Sequence, residues 1–327
     1  MRTLLGGLLA AALLASCAKP PPPLPEAPVP AGPGIALQTT PVPLNPKDPA
    51  QDRIGAFVYA GGIAIASSAT SRLHGLSDLK IKPDGTLVAV SDEGDLFEAR
   101  LQLDENERLV GLTDGKLWPL KGLDGAPLQG KDRADAEGLV VLANGDRLVS
   151  FEHEHRIWLY PADGSAPRPA PSPKTLFSDN EGMEALSRFP FKGPDAYLVG
   201  GEEGEMWLCK LSAACEAVPS PVLPQMDFGL TAIAAFDADA IAIVHRAYDP
   251  VRGSRIQVKV VNNPAAWKAN PYPVATFSLE HPLTRDNVEG LALVRNRAGG
   301  SRFYLLSDDN FNPDQGTLLM AFDWVPG

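Results

Sequence analysis

Short hydrophobic runs alternate with turn residues along most of the chain. From about Phe57 onward, runs of Val, Ile, Leu, Phe and Tyr are separated by Gly, Asp, Asn and Pro, and no stretch has the long periodicity of a helix. β-Branched and aromatic residues pack well in pleated strands, whereas Gly and Pro favour the turns between them. The pattern therefore predicts an all-β domain.

The strand pattern repeats five times. Each unit has a first strand, a turn such as "KPDG", a second strand that ends in polar residues and a third strand, and all but the last continue into a weaker fourth strand. The units align on five apolar residues spaced 44 to 63 positions apart: Leu76, Leu139, Met183, Leu230 and Leu291. Four-stranded repeats of this length predict a β-propeller. We expect five blades, with six as the alternative if an insertion hides one.

The two ends of the repeat region indicate how the ring closes. A strand from Ala56 to Ser67 precedes the first unit, and the last unit ends at "MAFDW" without a fourth strand. The N-terminal strand is therefore expected to complete the final blade.

The N-terminus has the features of a secretion signal. Arg2 precedes the apolar run "LLGGLLAAALLA", which is too short to span a bilayer as a helix. The run ends in "LASC", which resembles the lipobox of bacterial lipoproteins and implies cleavage after residue 16 and lipidation of Cys17. No aspartate follows Cys17, which favours the outer membrane, facing the periplasm. The alternative is an ordinary cleaved signal with an incidental cysteine.

A proline-rich segment separates this signal from the repeats. The stretch "AKPPPPLPEAPVPAGPG" disfavours helix and favours extended polyproline II chain. We expect residues 1–16 to be the signal peptide, 17–52 a tether and 53–327 the propeller domain. The domain would then meet the membrane only through its lipid anchor.

Charge and cysteine content narrow the function. The net charge of −11 argues against nucleic acid as a partner, because phosphate binding needs clustered Lys and Arg. Cys209 and Cys215 lie close together in "WLCKLSAACEAV", with room for a turn between them, which predicts a disulfide in an oxidising envelope. No His or further Cys lies near this pair, so a metal site there is not expected.

Acidic residues recur where the first strand of a unit begins, as in "DRADAEGLVV", "SDNEGMEALSRF" and "DNVEGLALV". First strands line the channel of a propeller, so these carboxylates should converge, and close carboxylates need protons, basic groups or a hard cation. Oxygen ligands suit Ca²⁺. Further acids, such as Asp92, Glu202 and Asp309, end second strands. The expected metal ligands are Asp78, Glu137, Glu181, Glu184, Glu289 and Asp308. Alternatively, the acids serve turns and the glycines serve backbone conformation alone.

A second polar group ends the second strand of one unit, in "SFEHEHRIWLY". An extended strand would place Glu152, Glu154 and Arg156 on one face, suited to an anion, and His153 and His155 on the other, suited to proton transfer. His245 and Arg246 occupy the same position in another unit. The expected catalytic residues are Glu137, Glu152, His153, Arg156, His245 and Arg246.

The ordered set of motifs resembles one known family. "HGLSDLKIKPDGTLVAVSDEG", "DAEGLVV", "FEHEHRIWLY", "NEGMEALSRF" and "DNVEGLALV" with "FYLLSDDNF" resemble the bacterial phytase-like domain, labelled "esterase-like activity of phytase", over about residues 57–324. The resemblance implies a β-propeller hydrolase of phosphoesters or other esters, assisted by Ca²⁺. Its substrate would be a small anionic ester. No G-x-S-x-G elbow supports a serine hydrolase. The alternative is a non-catalytic propeller that binds a ligand or a protein partner around a structural cation. We expect a monomer.

Overall fold

The computed structural model describes residues 34–178, 182–235, 240–262 and 273–326 and forms a five-bladed β-propeller. Each of the first four blades is a four-stranded antiparallel sheet whose strands follow one another in the chain, with the first strand innermost. The prediction of five blades rather than six is confirmed. Among the described residues, no helix is long and apolar enough to cross a membrane.

The strands of the first two blades are as follows. Blade 1 consists of β4 (Leu76–Ile81), β5 (Thr86–Ser91), β6 (Asp95–Leu103) and β7 (Leu109–Pro119). Blade 2 consists of β8 (Ala136–Val141), β9 (Arg147–Phe151), β10 (Arg156–Tyr160) and β11 (Arg168–Ala170). A single turn of helix, α1 (Lys131–Ala134), precedes β8. The fourth strand of blade 2 is therefore the short β11.

The next two blades have the same plan. Blade 3 consists of β12 (Ala185–Arg188), β13 (Ala196–Gly200), β14 (Met206–Lys210) and β15 (Ala213–Val218), with a 3₁₀ turn at Pro190–Lys192. Blade 4 consists of β16 (Gly229–Ala235), β17 (Ala240–Asp249), β18 (Gly253–Asn262) and β19 (Ala275–Leu279). Cys209 and Cys215 form a disulfide that joins β14 to β15.

The N-terminal strand closes the ring, as predicted. Blade 5 consists of β20 (Asn287–Arg295), β21 (Ser301–Asp308), β22 (Leu318–Trp324) and, outside them, β3 (Phe57–Ala66). Two short strands, β1 (Gln38–Pro41) and β2 (Arg53–Ile54), pair with β3. Leu44 is buried in the core between blades 4 and 5. The folded domain therefore includes residues 38–44, and the predicted boundary at residue 53 is too late. The predicted signal peptide and Cys17 lie outside the described residues.

Every blade junction has its own hydrophobic core, which explains why the strands are apolar on both faces. In β5, Leu87 and Ala89 pack toward blade 5, whereas Val88 and Val90 pack toward blade 2. Successive side chains of a strand point to opposite faces, so a strand between two other blades must be apolar throughout. The same arrangement recurs at the other three junctions.

Polar contacts join neighbouring blades at each of the five junctions. In each contact a side chain on one blade bonds a backbone group of the adjacent blade. From blade 1 round to blade 5 these are Asp78 Oδ2 with Leu139 N at 2.8 Å, Ser150 Oγ with Met183 O at 2.8 Å, Ser187 Oγ with Ala235 N at 2.9 Å, Thr231 Oγ1 with Val288 O at 3.0 Å, and Lys80 Nζ with Leu291 O at 3.4 Å. These bonds provide partners for buried backbone N–H and C=O groups that are not paired within the strand ladders.

Candidate functional site

Four of the five inner strands change register where they enter the blade. Against its second strand, each of these strands has a bulge at the repeated acid or hydroxyl step. The four bulges lie between Leu76 and Asp78, Ala136 and Leu139, Leu230 and Ala232, and Val288 and Gly290. A bulge leaves one residue out of the ladder and redirects its side chain. The chain thereby places Glu137 and Glu289 at one rim of the channel.

The glycines of this step are required by close packing. Neither Gly138 nor Gly290 has a positive φ, so any amino acid could adopt their backbone conformations. A Cβ on Gly138 would lie 2.7 Å from Leu186 Cγ of blade 3, and one on Gly290 would lie 2.8 Å from Leu79 Cδ2 of blade 1. The alternative that these glycines serve backbone conformation alone is therefore wrong. Because they lack a Cβ, they leave room for the inner strand of the neighbouring blade.

Replacing Gly138 with alanine should destabilise the protein without unfolding it. The added methyl group overlaps Leu186 and Ser150 Oγ, and overpacking of this kind costs about 1–3 kcal/mol. Thermal unfolding should show a lower Tm. A matched control is Gly316→Ala, whose Cβ would find its nearest neighbour at 3.5 Å and should leave Tm within about 1–2 °C. Equal effects of the two substitutions would contradict the packing explanation.

Asp135, Glu152 and His153 form a compact group at this rim. Asp135 follows α1, and the other two begin the turn between β9 and β10. His153 Nε2 lies 3.1 Å from Asp135 Oδ2 and 3.6 Å from Glu152 Oε2. One ligand atom from each residue lies within 4.8 Å of the other two. The three side chains therefore have the spacing needed to bind one metal ion.

The carboxylate of Asp135 is buried, and its neighbours do not form well-aligned hydrogen bonds with it. The residue is 1% exposed, and neither oxygen has a hydrogen bond of good geometry, although His153 Nε2 lies 3.1 Å from Oδ2 and the Glu152 carboxyl group is also within reach. Lys131 Nζ is the nearest lysine, 3.7 Å from Oδ2, and it also lies 3.6 Å from Asp92 Oδ2. A buried carboxylate is costly unless it is paired or coordinates a cation. Asp135 is thus prepared for a positively charged ligand.

Three glutamates, one from blade 2 and two from blades 3 and 5, extend the negative charge across the rim. Burial raises the pKa of Glu137 well above its usual value, and the charges of Glu184 and Glu289 raise it further. Burial followed by the charge of Glu202 raises the pKa of Glu184 to about 8. Burial raises the pKa of Glu289 to about 7, against the opposing effect of Arg246, whose Nη1 lies 3.5 Å from Glu289 Oε1.

The surrounding carboxyl groups are shifted in the same direction. Burial raises the pKa values of Asp92, Glu152 and Asp308 to about 7, and neighbouring acids contribute in each case. Asp309 is the exception. Burial acts to raise the pKa of Asp309, but the hydrogen bonds it accepts and the charge of His74, whose Nδ1 lies 2.7 Å from Oδ2, together lower it below its usual range. Carboxyl groups that raise one another's pKa values retain protons near neutral pH or require a cation.

The structure brings most of the predicted site residues to this rim. Those at the rim are Glu137, Glu152, His153, Glu184, Arg246, Glu289 and Asp308. Glu181 lies outside the described residues. Asp78, Arg156 and His245 are placed elsewhere and differ from expectation.

Asp78 faces a lysine instead of the acidic group. Both of its carboxylate oxygens accept bonds from Lys80 Nζ, at 2.8 and 2.6 Å, and the backbone N–H groups of Leu79 and Leu139 complete its partners. Burial raises the pKa of Asp78 to about 6. We assign it a structural role at the junctions of blade 1, and not the predicted role of metal ligand.

His245 and Arg246 point to opposite sides of their blade. Consecutive residues of β17 alternate faces, so Arg246 faces blade 5 and Glu289, whereas His245 faces blade 3 and is fully buried. Its Nδ1 lies 3.2 Å from Lys259 Nζ, and burial lowers its pKa to about 3. His245 is therefore a neutral core residue, which does not fit the predicted catalytic role.

Arg156 binds backbone and aromatic rings and does not face the channel. Its guanidinium donates to the carbonyl groups of Arg133 and Glu154 and lies 4.1 Å from the ring centroid of Phe151. Residues 152–155 form a turn, so the expected alternation of Glu152 and His153 on two faces of a strand is wrong. The turn brings both side chains to Asp135, and Arg156 holds the α1 segment against that turn.

Asp135 and Lys131 were not predicted from the sequence. Asp135 stands two residues before Glu137, in the position that Asn287 occupies before Glu289. Asn287 Nδ2 donates to Glu289 Oε1 at 2.8 Å and lies 3.4 Å from Asp308 Oδ2. A polar residue at the same position in two blades is the sequence feature that could have indicated Asp135 as a site residue.

Comparison with known proteins identifies the family. The phytase-like family described as "Esterase-like activity of phytase" matches residues 71–311, which is most of the chain. The chain belongs to this family. No curated protein matches the chain.

Solved structures with a similar architecture are distant in sequence. A putative gluconolactonase is 12% identical, with 91% of each chain covered and a TM-score of 0.45. A catalytically inactive virginiamycin B lyase from Staphylococcus aureus with quinupristin is 13% identical, covering 85% of this chain and 84% of that one, with a TM-score of 0.39. The allergen Mala s 1 of Malassezia sympodialis is 14% identical, covering 84% of this chain and 91% of that one, with a TM-score of 0.48.

Proposed function

We propose that this family member is a metal-assisted hydrolase of phosphoesters or other esters, with its active site at the acidic rim of the channel. The observation that carries the proposal is the group of Asp135, Glu152 and His153, in which a buried carboxylate without a well-aligned hydrogen bond lies beside two further ligand atoms. Membership of a family described by esterase-like activity supports the reaction class.

The donor set at the rim fits a hard divalent cation. Asp135 and Glu152 supply carboxylate oxygens, and Asp92 has a buried Oδ1 without a hydrogen-bond partner. Oxygen-rich groups carried by loops and turns suit Ca²⁺, whereas the imidazole of His153 is a ligand that transition metals prefer. We therefore propose Ca²⁺ and expect Mn²⁺ and Zn²⁺ to be its competitors. A bound cation would polarise the ester oxygen and lower the pKa of water.

The other rim residues could orient the substrate and transfer protons. Arg246 and Lys131 are cations among the carboxylates and could orient the anionic part of a substrate. The pKa of about 8 keeps Glu184 largely protonated at neutral pH, so it could donate a proton to a leaving alcohol. A cation beside Glu152 would favour its ionised form, and the carboxylate oxygen not bound to the cation could accept a proton from water.

The cellular setting remains a proposal from the N-terminal sequence. Cleavage after residue 16 and lipidation of Cys17 would attach a monomeric domain to the envelope, facing the periplasm, through its proline-rich segment. A periplasmic location also fits the disulfide between Cys209 and Cys215.

Turnover of simple chromogenic esters tests the function. The mature protein is assayed on p-nitrophenyl phosphate and p-nitrophenyl acetate, after chelation and after return of Ca²⁺, Mn²⁺ or Zn²⁺ in separate samples. We expect turnover of at least one ester, its loss in chelator and its recovery with Ca²⁺. No turnover under any condition, together with a Tm that falls in chelator, would instead support a non-catalytic propeller with a structural cation.

A further inference from the structure

A second cavity lies between the outer strands of blades 1 and 2, away from the rim site. Its volume is about 430 Å³, which falls within the range of small-molecule sites. β6 and β7 form one wall, and β9, β10 and the loop after β10 form the other. None of the rim residues described above lines it, so this cavity could bind a ligand independently of hydrolysis.

Aromatic and aliphatic side chains form the body of the cavity. Trp118 and Tyr160 are half-buried and pack on the core between blades 1 and 2, where Leu96 and Leu120 are fully buried. The Tyr160 hydroxyl donates to the carbonyl oxygen of Lys121 at 3.0 Å, which fixes the ring in place. Two aromatic rings beside aliphatic walls, one of them held by a hydrogen bond, suit a flat apolar group.

The edge of the cavity is positively charged, although the chain as a whole is acidic. Lys116, Lys121 and Arg147 line it, together with one acid, Glu98. Glu98 Oε1 already accepts bonds from Arg147 Nη2 at 2.8 Å and Lys82 Nζ at 3.0 Å. Within the described residues neither Lys116 nor Lys121 makes an ion pair. The two lysines are therefore available for an anion.

We propose that this cavity binds a small amphipathic anion, with a flat apolar body between Trp118 and Tyr160 and a carboxylate or similar group at Lys116 and Lys121. The apolar walls provide burial for the body of the ligand, and the lysines select its charge. The requirement for both parts excludes simple inorganic anions and neutral hydrocarbons as good ligands.

A matched pair of probes separates the two requirements. Binding of 2-naphthoate and of neutral 2-naphthalenemethanol to the full mature protein is measured by calorimetry, at low and high salt. We expect 2-naphthoate to bind about 10-fold more tightly, which corresponds to about 1.4 kcal/mol, and to lose this advantage at high salt. Equal affinity for the two probes would overturn the proposal.

Charge-reversal variants locate the site. Lys116 and Lys121 are exposed, so the double variant Lys116→Glu/Lys121→Glu should fold normally and bind 2-naphthoate about 10-fold more weakly. Lys174→Glu reverses an exposed lysine that does not line the cavity and should leave affinity unchanged. Trp118→Ala should weaken both probes. Unchanged affinity in the double variant, or displacement of 2-naphthoate by a synthetic peptide of residues 18–33, would assign the cavity to another ligand.

Discussion

Asp135→Asn is expected to reduce ester turnover by ~100-fold or more, with little change in the fold. The amide has the size of the carboxylate but lacks its charge, so it cannot neutralise a cation beside Glu152 and His153. Loss of groups that support a metal site costs about 10–100-fold, and loss of a ligand should cost at least as much. Steady-state kinetics on the ester that the wild-type protein hydrolyses measures the effect.

The control lies three residues earlier in the chain. Asp132 belongs to the same helical turn but is exposed to solvent. Asp132→Asn removes one negative charge from the same segment and should leave turnover within about twofold, because exposed charges are well screened. If both substitutions reduce turnover equally, or neither does, Asp135 has no special role and the proposed site is wrong.

Raising the pH from 6.5 to 8.5 in chelator should lower Tm, by on the order of 5 °C or more. The folded protein holds the pKa of Glu184 at about 8 and those of Asp92 and Asp308 at about 7, whereas unfolded carboxyl groups titrate near 4. The folded state therefore binds more protons, and its stability falls as these groups ionise with rising pH. His245 opposes this trend weakly, since it is neutral in the folded state and about half protonated in the unfolded state at pH 6.5.

Ca²⁺ should restore much of the stability that is lost between pH 6.5 and pH 8.5. A cation bound only by the folded state at 100 times its Kd contributes about 2.7 kcal/mol. Scanning calorimetry at pH 6.5 and pH 8.5, with chelator or with Ca²⁺, gives the four required values. The account predicts a larger Ca²⁺-induced rise in Tm at pH 8.5 than at pH 6.5, because cation and protons compete for the same carboxylates. A Tm that rises with pH in chelator would contradict it.

The fold was predictable because each blade repeats the same sequence pattern. The apolar strands, turn signals and unmatched N-terminal strand determined blade number and closure before any contact was known. The start of the propeller domain, predicted at residue 53, was harder to derive from the sequence. Proline density dominated the sequence before it, and the burial of Leu44 depends on a contact with blades 4 and 5 that local pattern does not reveal.

The site was only partly predictable, since side-chain direction depends on bulges and turns. Glu137 and Glu289 could be found because their acid and glycine repeat in register. His245 and Arg156 could not be excluded, because a strand residue's face depends on which blade lies beside it. Asp135 was missed because the units were aligned on the glutamate and glycine, and the polar residues two positions before the glutamate (Asp135, Asp179 and Asn287) were not compared.

Calorimetric titration of Ca²⁺ into the metal-free mature protein tests the central claim most directly. The account predicts one binding event at the rim that is lost in Asp135→Asn and retained in Asp132→Asn, with protons released as the cation binds. The absence of binding by Ca²⁺, Mn²⁺ and Zn²⁺, or binding that survives in Asp135→Asn, would contradict a metal site formed by Asp135, Glu152 and His153.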